Sequence, residues 1–199
     1  PGRHPRAAAL IVSPTGAGAQ SPRVVLVGPP GSGKSTTARL LAGLLGVDLR
    51  DTDTDIEVTA GKAIAEIFVD DGEPHFRALE REAVTTALAV HEGVLALGGG
   101  AVLDPLSQAA LEAYTHDGGA VVFLDVSLTH VAPRVGFNQA RPLLLGNPRA
   151  KWASLMEARR PVYERIATHR VDTDAKTAAQ VAREIHEALV RPTPPEDPS

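Results

Sequence analysis

At 199 residues with 43% hydrophobic content, the chain carries enough apolar side chain for one substantial core, and its length argues for a single domain. A formal net charge of -4 with 4% aromatic residues argues against a nucleic-acid polymer as partner, because the balance repels a phosphate backbone and offers few rings for bases to stack on. The absence of cysteine excludes disulfides, thiolate catalysis and cysteine-held metals, and no apolar run approaches the roughly 18 residues of a membrane span, so a soluble protein without membrane partners is expected.

The first residues imitate a secretory signal, with Arg3 and Arg6 ahead of Ala7-Ala8-Ala9-Leu10-Ile11-Val12. That apolar core is shorter than the roughly 7 to 15 residues such a signal needs, and Pro14 and Gly16 break the stretch after it. Residues 1–21 are expected to form a disordered leader. Residues 192–199, rich in proline and acid, have too little apolar content to pack and read as a disordered tail. Residues 22–191 are left for the folded domain.

Val24-Val25-Leu26-Val27 reads as a buried strand that stops at Gly28-Pro29-Pro30-Gly31-Ser32-Gly33-Lys34-Ser35 and is followed by a helix from Thr36. The octapeptide fits G-x-x-x-x-G-K-[ST] at every fixed position, and its strand and helix flanks are those a phosphate cradle requires. Glycine lets backbone N–H groups turn toward one centre, and the helix N-terminus adds partial positive charge. Lys34 reaches the outer phosphates and Ser35 the magnesium ion. A nucleoside triphosphate is the ligand this predicts.

The helix presents Ala38, Leu41, Leu44 and Leu45 at helical spacing and closes at Gly46. A short strand over residues 47–51 leads to Asp51-Thr52-Asp53, at the carboxyl end where open α/β sheets place ligands. In an extended chain, Asp51 and Asp53 would project to the same side of the crevice. Short helices are expected around Asp55 to Thr59, ending at Gly61, and from Ala63 to Val69, the second with Ile64, Ile67 and Phe68 as its apolar stripe. A longer helix opens at Glu73-Pro74 and sets Arg77 and Glu80 three residues apart on one face.

Val94-Leu95-Ala96-Leu97 reads as a buried strand running into Gly98-Gly99-Gly100, where close approach of a ligand would explain three glycines. Asp104 caps and Pro105 opens the next helix. Ala120 to Asp125 is a further apolar strand whose terminal acid has the form of a Walker B aspartate, a rival to Asp51 for the magnesium ion. A helix from Ser127 to about Val135 gives way to a segment broken by Gly136, Pro142, Gly146 and Pro148, which suits a mobile lid over about residues 136–150 bearing Arg141. A long helix from Arg149 to about Thr168 should kink or break at Pro161. A short strand follows at His169 to Asp172, and a last amphipathic helix faces Ala179, Val181, Ile185 and Val190 inward.

The P-loop, Asp51-Thr52-Asp53, Phe76-Arg77, Gly98-Gly99-Gly100, Arg141-Pro142-Leu143-Leu144, and Arg159 with Pro161 and Tyr163 occur in the order and spacing of the shikimate kinases. Over about residues 23–190 the chain resembles that family. The resemblance implies a three-layer α/β/α fold, a five-stranded parallel sheet with P-loop and lid, that moves the γ-phosphoryl group of ATP to the 3-hydroxyl of shikimate with Mg2+ present. It implies that Gly31, Ser32, Gly33, Lys34, Ser35 and Thr36 hold the nucleotide phosphates, that Ser35 and Asp51 hold magnesium, and that Asp53 orients the attacking hydroxyl. Arg77 and Arg159 would clamp the carboxylate, with Gly98, Gly99 and Gly100 against the ring and Phe68 and Phe76 as walls. Arg141 would close from the lid and Arg134 would stack on the adenine. The expected state is a cytoplasmic monomer. A gluconate kinase of the same fold, or a nucleotide switch without an acceptor, is the alternative.

Overall fold

The computed structural model describes residues 21–134 and 148–190. Residues 1–20 of the expected leader, the tail and nearly all of the expected lid, with Arg141, lie outside them. The element order is β1 (Val24–Val27), α1 (Lys34–Leu45), β2 (Leu49–Asp51), α2 (Thr52–Ala60), α3 (Ile64–Asp70), α4 (Gly72–Val90), β3 (Val94–Ala96), α5 (Pro105–His116), β4 (Val121–Asp125), α6 (Leu128–Arg134), α7 (Pro148–Ile166), β5 (His169–Asp172) and α8 (Ala178–Val190). The strands form one five-stranded sheet in the order β2-β3-β1-β4-β5, and every pairing is parallel. Parallel neighbours need crossover connections, and helices covering both faces explain why the strands read as unbroken apolar runs.

Strand alternation divides the core. Val25, Val27, Leu95, Val121 and Phe123 point to the face packed by α4, α5 and α7. Val24, Leu26, Val94, Val122 and Leu124 point to the face packed by α1 and α8. A third, smaller cluster of Ile56, Ile67 and Phe76 holds α2, α3 and α4 together beside the sheet. Each fully buried large aliphatic side chain stabilises such a core by about 1.5–3 kcal/mol relative to exposure.

Local signals held where neighbouring residues decide the outcome. Gly46 and Gly61 end α1 and α2 in the left-handed conformation, at φ 67° in both. Asp104 caps α5 by accepting from the Leu106 and Ser107 N–H groups, with Pro105 in the first turn.

Four expectations are corrected. Asp51 and Asp53 do not share an extended strand: Asp51 is the N-cap of α2, its Oδ1 accepts from the Asp53 N–H at 3.0 Å, and Asp53 stands in the first helical turn. Leu44 is exposed, and Thr37 and Ala42 complete the buried face of α1 instead. Val190 is exposed and Leu189 takes the inward position, because the contact of α8 with α1 sets the rotation of that helix. Helix α7 continues through Pro161, so the interruption offered there as one outcome does not occur. Glu157, whose carbonyl loses its partner there, is on the exposed side, where water can replace the missing N–H.

Candidate active site

The carboxyl ends of the parallel strands converge on the loop between β1 and α1, so the phosphate cradle lies at the sheet's centre. Gly28 adopts φ 150°, and a Cβ there would come within 2.6 Å of the Leu124 carbonyl oxygen. The cradle can therefore pass over β4 only with glycine at this position. Lys34 Nζ donates to the carbonyls of Gly28 at 2.8 Å and Pro29 at 3.1 Å, which holds its charge at the mouth of the loop. Ser32 is 2% exposed, and among the described residues its Oγ has no hydrogen-bond partner. A buried, unpaired hydroxyl is costly, and a phosphate oxygen would relieve it.

Ser35, in the first turn of α1, donates from Oγ to Asp51 Oδ2 at 2.8 Å. Hydroxyl, carboxylate and nucleotide phosphate oxygens are the hard donors magnesium takes, and few protein ligands suffice for it. Asp125, the rival, is 5% exposed and already committed. Both its oxygens accept from Arg160, at 2.7 and 2.8 Å, and Arg170 Nη2 lies 2.6 Å from Oδ2. Two guanidinium groups already offset its charge.

Beyond the P-loop, the three glycines after β3 each sit against a different group. A Cβ on Gly98 would collide with Asp53 Oδ1, and one on Gly100 with Arg77 Nη1. One on Gly99 would press on Pro30 of the P-loop at 3.0 Å. The room made by the glycines is thus filled by the site's own side chains, where the sequence suggested only a ligand. Thr52, fully buried, fixes this loop by accepting from the Gly98 N–H at 3.0 Å.

Arg159 on α7 is 3% exposed. Its Nη1 donates to the Gly99 carbonyl at 2.9 Å, while its Nε is buried without a partner among the described residues. Tyr163, one turn on, donates to the same carbonyl at 2.6 Å, and burial pushes its phenol up to about 12. Arg77 on α4 gives Nη1 to Glu80 at 2.6 Å and Nε and Nη2 to Glu73 at 3.2 and 3.0 Å. Burial alone would lower the Arg77 pKa, but the carboxylates of Glu80 and Glu73 outweigh it and keep the guanidinium charged. Glu80 is 2% exposed, and burial pushes its carboxyl up although Arg77 pulls the other way. Phe76 and Phe68 pack beside Arg77 with ring centroids 4.6 Å apart.

A cleft of about 410 Å3 opens next to the cradle, bounded by Gly33, Thr36, Thr173, Lys176 and Thr177. The last three lie between β5 and α8; no motif marks them, although loops at the carboxyl ends of parallel strands are where ligands bind. Trp152, whose indole reaches the P-loop, left no motif. The Arg134 backbone ends α6, and its side chain lies outside the described residues, as does the whole of Arg141.

The profile of the shikimate kinase family matches residues 30–190. A shikimate kinase from Salinispora arenicola is 56% identical over 83% of this chain and 96% of its own length. The chain belongs to the shikimate kinase family. A second member, from Streptomyces coelicolor, is 54% identical over 85% of this chain and 96% of its own. The shikimate kinase of Acinetobacter baumannii, solved in complex with shikimate, superposes with a TM-score of 0.76 at 33% identity, covering 86% of this chain and 93% of that one. The family shares this parallel-sheet fold with its P-loop, and its chemistry is ATP- and magnesium-dependent phosphoryl transfer. No helix among the described residues is long and apolar enough to cross a membrane.

Proposed function

We propose that this chain transfers the γ-phosphoryl group of ATP to the 3-hydroxyl of shikimate. The observation that carries this reading is the meeting of Asp53, Arg159 and Arg77 on three consecutive glycines that also abut the P-loop through Pro30. Two arginines from different helices are suited to a planar carboxylate. The buried, unmatched Nε of Arg159 is a donor that such a carboxylate would satisfy.

In this scheme Gly31, Ser32, Gly33, Lys34, Ser35 and Thr36 hold the nucleotide, with Lys34 turning from the loop carbonyls to the outer phosphates. Asp53, held in the first turn of α2, takes the acceptor's hydroxyl and orients its oxygen toward the cradle. Ser35 and Asp51 would hold magnesium, whose charge offsets that of the phosphates. Phosphoryl transfer needs little covalent help from the protein, so alignment and charge neutralisation provide most of the acceleration. Glu80 sets the angle of Arg77, while Gly98, Gly99 and Gly100 form the floor. The lid over about residues 136–150 with Arg141, the adenine contact of Arg134 and the cytoplasmic monomer complete the proposal.

A coupled ADP-release assay with magnesium-ATP, run with shikimate, with gluconate and with no acceptor, tests it. Turnover is expected with shikimate alone. Equal rates without acceptor would overturn the reading, and size-exclusion chromatography with light scattering checks the monomer.

A further inference from the structure

Helix α7 serves both halves of the site from one face. Trp152, Arg159 and Tyr163 are seven and four residues apart, which at 3.6 residues per turn places them in one row. At one end of the row, Arg159 and Tyr163 hold the Gly99 carbonyl. At the other, Trp152 donates from Nε1 to the Pro30 carbonyl of the P-loop at 3.1 Å. Trp152 is 3% exposed, so this is a fixed contact within the core.

The atom that Trp152 holds determines more than its own position. In a trans peptide the C=O and the following N–H point in opposite directions, and the structure contains no cis peptide among the described residues. Fixing the Pro30 carbonyl therefore fixes the Gly31 N–H. Gly31 lines the cleft beside the cradle, and its φ of 84° is one that glycine enters and leaves readily. The Pro30–Gly31 peptide is thus able to flip. Flipped, it would turn a carbonyl oxygen toward the anionic phosphates and withdraw an amide donor.

We infer that Trp152 is a positioning residue for the nucleotide: its indole N–H pins the Pro30 carbonyl away from the cradle and keeps the Gly31 N–H available to phosphate. The inference rests on the kinase reading and adds a residue that no motif marks. It also makes the chain's single tryptophan a reporter of the cradle, since a phosphate bound to Gly31 pulls on the same peptide that the indole holds.

Trp152→Phe keeps the ring in the core and removes the donor. The expected result is a rise of about three- to tenfold in the KM for ATP, the loss of one neutral hydrogen bond, with the KM for shikimate changed less than twofold. An unchanged KM for ATP, or a parallel rise in both constants, would overturn the inference. Wild-type tryptophan emission titrated with magnesium-ADP provides a second readout independent of the variant's folding. A saturable change supports the pin, and a flat titration overturns it. This titration needs no acceptor, so its outcome separates failure of the pin from failure of the shikimate assignment.

Discussion

Ser35 and Asp51 are joined by a 2.8 Å hydrogen bond from Oγ to Oδ2, linking the first turn of α1 to the carboxyl end of β2. Asp51 also caps α2 through its other oxygen, so one side chain positions Asp53 and, in the proposed scheme, would offer oxygen to magnesium. The two roles separate by substitution. Asp51→Asn keeps a good cap and removes the charge. It should melt within a few degrees of wild type, yet require about tenfold or more magnesium for half-maximal rate, by analogy with one lost charged contact. Asp51→Ala should in addition lose about 1 kcal/mol of stability with the cap. Rate against magnesium concentration and thermal melts check both.

Asp125 should behave in the opposite way. Its partners Arg160 and Arg170 would be left without their carboxylate in Asp125→Asn. The expected cost is about 1.5–3 kcal/mol of stability, read by urea unfolding, with the magnesium dependence of the rate unchanged. A shift in magnesium requirement would restore Asp125 as a ligand.

Gly98→Ala and Gly100→Ala test the convergence on the glycine loop. Each added methyl would meet the end of a side chain, Asp53 or Arg77, so the side chain can swing aside while the fold persists. Gly98→Ala should lower kcat about a hundredfold, as a misplacement on the order of 1 Å does. Gly100→Ala should chiefly raise the KM for shikimate. Circular dichroism of both should match wild type.

Arg77→Ala should weaken shikimate binding by about 1.5–3 kcal/mol, as for a charged hydrogen bond, and leave the KM for ATP near its original value. Isothermal titration with shikimate, beside steady-state kinetics, checks this.

Glu80 predicts a pH signature. Burial raises its folded-state pKa, so the folded protein holds this proton more tightly than the unfolded chain does. The resulting stabilisation is fully present below the unfolded pKa of about 4.3 and is lost as the pH rises through the raised folded value. Glu80→Gln should remove that loss, so the difference in melting temperature between variant and wild type should grow as pH rises from about 4.3. The same variant should raise the KM for shikimate several-fold, because Arg77 loses the charge that holds its Nη1.

The P-loop, the caps at Gly46, Gly61 and Asp104, and the apolar strands were legible because each depends on a few contiguous residues. Backbone conformation at a glycine, a cap or a strand ending in a turn is decided over one or two turns of chain. The sequence therefore determined by itself that a buried strand meets a helix across a phosphate cradle, with acids, glycines and arginines in an order and spacing that resemble those of the shikimate kinases. The tertiary structure decided what those residues do to one another. It paired Asp125 with Arg160 and Arg170, turned Leu189 inward in place of Val190, and set Trp152 on Pro30. Each outcome depends on where a distant helix lies or how it is rotated about its axis. That is settled by packing over the whole sheet, for which no short stretch of sequence carries a signal.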